Sequence, residues 1–152
     1  YAVGIVSDGY QLVAEIVRKR VFADFSFAHL MMFRNGKASG KLKLCPAMIH
    51  SNGCQEHEHC KVNVMQHLVE RYEFCPSHIL AVGDRENDIC MLKRAGCSVA
   101  FRGKSKEVRR AARFQTNLLQ EVVSLAGVFR DEEFSGSPGP FRAERDSQTF
   151  SN

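Results

Sequence analysis

An apolar run that ends on two carboxylates and an amide constrains this chain more than any other stretch: Ile79-Leu80-Ala81-Val82-Gly83-Asp84-Arg85-Glu86-Asn87-Asp88. Four apolar residues in succession suit a strand buried on both faces, as in a parallel sheet. Ligands in open sheets of that kind bind beyond the carboxyl ends of the strands, and Asp84 falls at such an end. A helix starting near Asn87 would place Asp88 about one turn in, able to turn its carboxylate back toward Asp84. Two carboxylates converging there repel one another unless a cation lies between them, and their hard oxygens suit Mg²⁺. The alternative reading of the same residues is a Gly-Asp turn followed by an Asp or Asn that caps the next helix.

Two other segments carry related chemistry. Val3-Gly4-Ile5-Val6-Ser7-Asp8-Gly9 is a short apolar strand ending in a hydroxyl, after which Leu12, Val13, Ile16 and Val17 recur at helical spacing. A serine hydroxyl beside a helix N-terminus can donate to a phosphate oxygen together with backbone N–H groups, or Ser7 or Asp8 can simply cap the helix. The second segment is a helix opening at Lys61, with Val62, Met65, Leu68, Val69 and Tyr72 as its apolar stripe. A lysine in the first turn opposes the helix dipole, so something must compensate it unless it is a solvated surface residue.

In order and in type these segments resemble the phosphohydrolases of the haloacid dehalogenase (HAD) superfamily, and among them the phosphoserine phosphatases. The likeness is strongest over Gly83-Asp84-Arg85-Glu86-Asn87-Asp88, continues through Met91 to Gly96 and Ser98 to Phe101, and covers about Ala2 to Ala126. It implies a hydrolase of small phosphorylated metabolites, Mg²⁺-dependent, that works through an aspartyl-phosphate. By resemblance Asp84 binds Mg²⁺ directly and Asp88 supports the ion through a water or a hydrogen bond. Ser7 and Lys61 hold phosphoryl oxygens, and Asn87 orients the phosphate or the Asp88 network. Where the family usually has glycine after the serine, this chain has Asp8, an added negative charge near the phosphate pocket. HAD sugar-phosphate and other small-metabolite phosphatases share the Gly-Asp-x-x-Asn-Asp turn, as do ion-pump phosphorylation domains, whose chains carry membrane spans. From a different class, a non-catalytic relative would keep metal and anion binding without a nucleophile.

The same family opens with an Asp-x-Asp strand whose first Asp attacks phosphorus and whose second protonates the leaving oxygen. No such strand precedes Tyr1, and the small substrate-choosing cap is also missing. The expected fold is therefore α/β: the C-terminal part of a Rossmann-like core, with a parallel sheet and a β-hairpin but without the central nucleophile strand. Its absence leaves a slot between the strands ending at Ser7 and at Asp84, whose unpaired backbone groups are costly to bury. A longer protein, or another segment filling the slot, is the expectation.

Residues 1–127 read as this partial core and 128–152 as a disordered tail around Ser135-Gly136-Ser137-Pro138-Gly139-Pro140. Within the core, Asn35-Gly36 joins His29–Phe33 to Lys37–Leu44 as a hairpin. Strands at Ile79–Val82 and Ser98–Phe101 flank a short helix through Met91 and Leu92. A basic helix over Lys104–Arg113 turns Val108, Ala111 and Ala112 inward, and Asn117–Ala126 packs on the sheet through Leu118, Leu119, Val122, Val123 and Ala126.

A net charge of +4 suits small anionic substrates and is too weak and dispersed for nucleic-acid binding. There is no apolar stretch of membrane-span length and no signal peptide, which makes cytoplasm the default and argues against a membrane partner. The six cysteines then read as reduced thiols. Between Cys45 and Cys60, the residues Cys45, His50, Cys54, His57, His59 and Cys60 offer the right atoms for zinc, with Cys54, His57, His59 and Cys60 the closest set. Their spacing matches no recognised zinc pattern, so a solvated loop with adventitious metal affinity is the favoured reading.

Overall fold

The computed structural model describes residues 1–49 and 53–133. Along the chain lie β1 (Gly4–Tyr10), α1 (Gln11–Arg20), β2 (Phe25–Arg34), β3 (Lys37–Lys43), α2 (Lys61–Tyr72) and β4 (Leu80–Gly83). They are followed by α3 (Ile89–Arg94), β5 (Cys97–Phe101), α4 (Lys106–Ala111), β6 (Phe114–Thr116) and α5 (Leu119–Glu133), with single 3₁₀ turns at Pro46–Met48, Pro76–His78 and Glu86–Asp88. Strand and helix alternate as an α/β fold requires.

The strands form two three-stranded sheets, β1-β2-β3 and β4-β5-β6, with no ladder between them. Both pairs of the second sheet are parallel. In the first, Phe25–Phe27 of β2 run parallel to Gly4–Val6, while the remainder of β2 pairs antiparallel with β3. The strand expected from His29 is thus only the hairpin half of β2, which begins at Phe25. Asn35 (φ 50°) and Gly36 (φ 73°) take the left-handed conformation that a tight hairpin turn demands. The β1 ladder loses register between Val6 and Tyr10, so Ser7, Asp8 and Gly9 form a local bulge.

Among the described strands β1 and β4 each have a partner on one side only. β4 is therefore not buried on both faces as expected: Ala81 and Gly83 are buried, but Val82 is 38% exposed. The fully buried run is β5, which has neighbours on both edges.

Helix α2 joins the two halves. Met65 packs in a cluster with Ala81, Met91, Leu92, Ala100 and Val108. Val64 and Leu68 pack with Cys45 and Met48 against Val6, Phe25 and Phe27. A single stripe therefore underdescribes this helix. Asn63 and Val64, both fully buried, lie outside the sequence-derived stripe, and Tyr72 within it is exposed.

Other expectations need correction. Helix α1 forms, yet Leu12, Val13, Ile16 and Val17 face outward and its buried contact is Ala14. The basic helix ends at Ala111, because residues 114–116 leave it to become β6, a strand too short to show a period. Helix α5 runs past Gly127 to Glu133; Leu118, Leu119 and Val123 are exposed, whereas Val122, Leu125 and Ala126 are half-buried. The tail beyond residue 133 lies outside the described residues. Among the described residues no helix is long and apolar enough to cross a membrane.

Gly96 sits where α3 hands over to β5, and its N–H donates to the Pro76 carbonyl at 3.0 Å. A Cβ at this position would lie 2.0 Å from the Ser77 carbonyl oxygen, which is backbone and cannot swing aside. Gly96→Ala is expected to destabilise the protein by about 1–3 kcal/mol, the usual range for overpacking, read as a lower urea midpoint at unchanged slope.

Candidate functional site

The site begins with a lysine that the helix dipole disfavours. Lys61 is the first residue of α2 and is buried, and its Nζ lies 2.7 Å from Asp88 Oδ1. The other oxygen, Asp88 Oδ2, accepts the backbone N–H groups of Asp84 at 2.9 Å and Arg85 at 3.2 Å. One carboxylate thus compensates the ammonium and closes the turn after β4. The approach depends on Gly83, where a Cβ would come 2.5 Å from Asp88 Cβ.

The Asp88 carboxylate turns back onto the Asp84 backbone from a position just ahead of α3. α3 starts at Ile89, not near Asn87, and Asp88 sits in the preceding 3₁₀ turn. It turns inward to Lys61, while the Asp84 carboxylate stays part-exposed, with Arg85 Nε at 3.6 Å and Lys104 Nζ at 3.9 Å. Lys104 also donates its backbone N–H to the Asp84 carbonyl at 3.0 Å, tying the loop after β5 to the loop after β4.

Asn87 belongs to neither carboxylate of that turn. Its Nδ2 donates to Asp8 Oδ2, and the same Asp8 oxygen lies 3.6 Å from Lys61 Nζ. Asp8 therefore bridges the carboxyl end of β1 to the start of α2 and the turn after β4. Sequence reasoning flagged its charge but not these contacts, which depend on the β1 bulge. Ser7 lies on the same bulge. Its Oγ accepts the Gly9 N–H at 3.0 Å, and α1 begins only at Gln11, so the hydroxyl is not in the helix's first turn.

The donor set suits a hard dication at Asp84. Mg²⁺ commonly takes one or two protein carboxylates and completes its shell with water and phosphate oxygens. Among the described residues Asp84 Oδ2 meets Arg85 and Lys104 at 3.6 and 3.9 Å, whereas both oxygens of Asp88 already accept close donors.

A second cluster has softer ligands. Sγ of Cys54, Cys60 and Cys90 and a ring nitrogen of His57 all lie within 4.8 Å of one another, the sole such group of three or more metal-type side chains among the described residues. Cys45, expected in the same loop set, is instead buried in the core and donates its N–H to His29 Nδ1 at 3.0 Å. His59 is not a member of the cluster, and His50 lies outside the described residues. Burial pushes the Cys60 thiol up to about 12 and raises Cys90. Burial also opposes ionisation of Cys54, but its hydrogen bonds with His57 and with the Glu56 and His57 backbone outweigh that and bring it to about 7.

Comparison with known proteins gives a consistent set of likenesses. A family model described as haloacid dehalogenase-like hydrolase matches residues 55–126. Phosphoserine phosphatases of Archaeoglobus fulgidus and Methanocaldococcus jannaschii are each 27% identical, over 86% and 68% of this chain. Those alignments cover 36% and 45% of the two relatives, so this chain spans less than half their length. A solved phosphoserine phosphatase, a phospho-aspartyl intermediate analogue, shares the fold with a TM-score of 0.68 at 22% identity, over 82% of this chain and 56% of that one.

The Lys61–Asp88 pair gives a direct stability test. Asp88→Ala would leave a buried ammonium and two backbone donors without their acceptor, and is expected to cost about 3–5 kcal/mol. Asp88→Asn keeps one acceptor oxygen and should cost less. Urea unfolding of the two variants ranks them; equal losses would show that the charge of Asp88 contributes nothing.

Proposed function

We propose that the chain, which matches a haloacid dehalogenase-like hydrolase model over residues 55–126 and is similar to phosphoserine phosphatases, forms the phosphate- and metal-holding part of a Mg²⁺-dependent phosphomonoesterase. The observation that carries this reading is the buried Lys61, paired with Asp88 at the carboxyl end of β4 beside the open carboxylate of Asp84. A small phosphorylated metabolite is the substrate class, and cytoplasm, where six cysteines without a disulfide are at home, is the compartment.

In this mechanism a nucleophilic aspartate stands on a strand seated between β1 and β4, each an edge strand among the described residues and each carrying site residues at its carboxyl end. Its carboxylate attacks phosphorus, the alcohol leaves, and water later releases phosphate from the aspartyl-phosphate. Lys61 meets the charge that develops on the phosphoryl oxygens, in a buried position where the interaction is strong. Asp88 keeps the ammonium aimed and holds the turn in place. Ser7 and Asn87 donate to the remaining phosphoryl oxygens once their present acceptor or donor contacts give way. Asp84 would hold Mg²⁺, which when bound neutralises phosphoryl charge.

Asp8 favours a second reading, a non-catalytic relative that keeps the cradle. Its carboxylate already contacts both Lys61 and Asn87, the groups assigned to the anion. Asp8→Gly is expected to tighten inorganic phosphate binding roughly tenfold, the effect of removing one like charge a few ångströms away. Isothermal titration calorimetry reads it, and unchanged affinity would mean Asp8 does not compete with the anion.

Kinetics of the full-length protein on a panel of phosphomonoesters test the catalytic reading. Asp84→Ala and Lys61→Ala should each lower kcat by roughly two to three orders of magnitude, with metal dependence weakened only in the first. A polypeptide of these 152 residues alone should not turn over p-nitrophenyl phosphate or phosphoserine. Near wild-type turnover by both folded variants would remove Asp84 and Lys61 from the chemistry.

A further inference from the structure

We propose that Cys54, His57, Cys60 and Cys90 form a structural zinc site that staples the loop before α2 to α3. The first three ligands recur at every third residue, Cys54-x-x-His57-x-x-Cys60, a spacing that lets one loop present successive ligands to one ion. The fourth comes from α3, 30 residues further on (90 − 60), a separation that no loop spacing encodes, so the loop residues alone point to His59 where the fold supplies Cys90.

The distances match a tetrahedral ion. Zinc bonds of about 2.3 Å to sulfur and about 2.0 Å to nitrogen put neighbouring ligands about 3.8 Å apart for two sulfurs and about 3.5 Å for sulfur and nitrogen. Cys54 Sγ is 3.8 Å from Cys90 Sγ, and His57 Nδ1 is 3.3 Å from Cys54 Sγ and 3.6 Å from Cys90 Sγ. Cys60 Sγ falls within 4.8 Å of all three. The two thiols are too far apart to be bonded to each other, since a disulfide spans about 2.05 Å. Four protein ligands leave no open coordination position, the mark of a structural rather than a catalytic zinc.

The loop is also shaped in advance by bonds that need no metal. Fully buried Asn63 accepts the Cys54 N–H at Oδ1 (2.7 Å) and donates from Nδ2 to the Met48 carbonyl (2.7 Å), while the Cys60 N–H donates to the same carbonyl (2.9 Å). Two ligands are thereby held in position. A cleft of about 260 Å³, lined in part by Cys54, Val62, Met65, Cys90 and Lys93, reaches the cluster from solvent and offers the ion a path.

The position gives the site a purpose. Cys60 immediately precedes Lys61, and Cys90 follows Asp88 by two residues, so the metal joins the same two segments that the Lys61–Asp88 ion pair joins. Binding releases protons as three thiols become thiolates around a neutral imidazole, and the binding free energy adds to folding.

The test uses metal content and stability, so its outcome does not depend on phosphatase activity. Full-length protein purified from zinc-supplemented medium is expected to carry one zinc per chain by elemental analysis and to lose melting temperature under a strong chelator. Refilling the chelated protein with Co²⁺ should give a thiolate charge-transfer band and the visible bands of a tetrahedral ion. Cys90→Ser should lose the metal, whereas His59→Ala should keep it. Substoichiometric zinc together with no cobalt charge-transfer band in the reduced wild-type protein overturns the proposal, whether or not Cys90→Ser folds. Cobalt spectra and affinity unchanged in folded Cys90→Ser, or metal lost in His59→Ala and kept in Cys90→Ser, overturn the assigned ligand set.

Discussion

Helix α2 is the element whose side chains enter both apolar clusters, one beside each sheet. The two sheets share no hydrogen-bonded ladder, so backbone pairing cannot hold them in register. Side chains do it instead: Met65 belongs to one apolar cluster, Val64 and Leu68 to the other, and Lys61 reaches across to Asp88. Burying a helix on two sides removes more apolar surface from water than a single stripe could, at roughly 25 cal/mol per Å². It also leaves the N-terminal residue with no solvent to relieve its charge. The Lys61–Asp88 pair is thus a consequence of where the helix must lie, and the same pair creates the site.

The electrostatics of that site follow from which carboxylate goes where. Asp88 is drawn inward by an ammonium and two backbone N–H groups, an arrangement that satisfies a buried carboxylate. Asp84 is left facing the opening, with Arg85 and Lys104 at longer range. Asp8 reaches the region from β1 and contacts Lys61 and Asn87. Positive and negative groups from three separate elements therefore meet where the carboxyl ends of β1 and β4 come together. In an α/β sheet this is the region where ligands bind, and the cysteine and histidine cluster flanks the same two segments that the central ion pair joins.

The elements that were legible in the sequence share a physical property: their signals are local. The hairpin at Asn35-Gly36 needs left-handed backbone at both residues, which few side chains tolerate, so the dipeptide announces the turn. The strand-to-turn passage at Gly83-Asp84 announces itself because an apolar run stops on charges. The conflict between Lys61 and the helix dipole required a partner, and Asp88 is that partner. Less legible were features set by neighbours. The apolar spacing of α1 correctly marked a helix but not a buried face, since Leu12, Val13, Ile16 and Val17 meet no part of the described chain that covers them. β6 escaped notice because three residues carry no period, and its existence depends on β5 offering an edge. The parallel half of β2 was missed for the same reason.

By itself, then, the sequence determined the order of strands and helices apart from β6, the turn chemistry, and the identity of the residues at strand ends that carry charge, because backbone preference and hydrophobic period act over a few residues. Only the tertiary structure decided how those charges pair. It sent Asp88 to Lys61 and left Asp84 open, because two N–H groups and an ammonium converge on one position and on no other. It joined Asn87 to Asp8 through a bulge that no periodicity encodes. It exchanged His59 for Cys90 in the thiol cluster, since a ligand distant along the chain is brought near only by the packing of α2 against α3. Pairing and ligation depend on distances of a few ångströms between segments far apart in the chain, and those distances exist only once the core has formed.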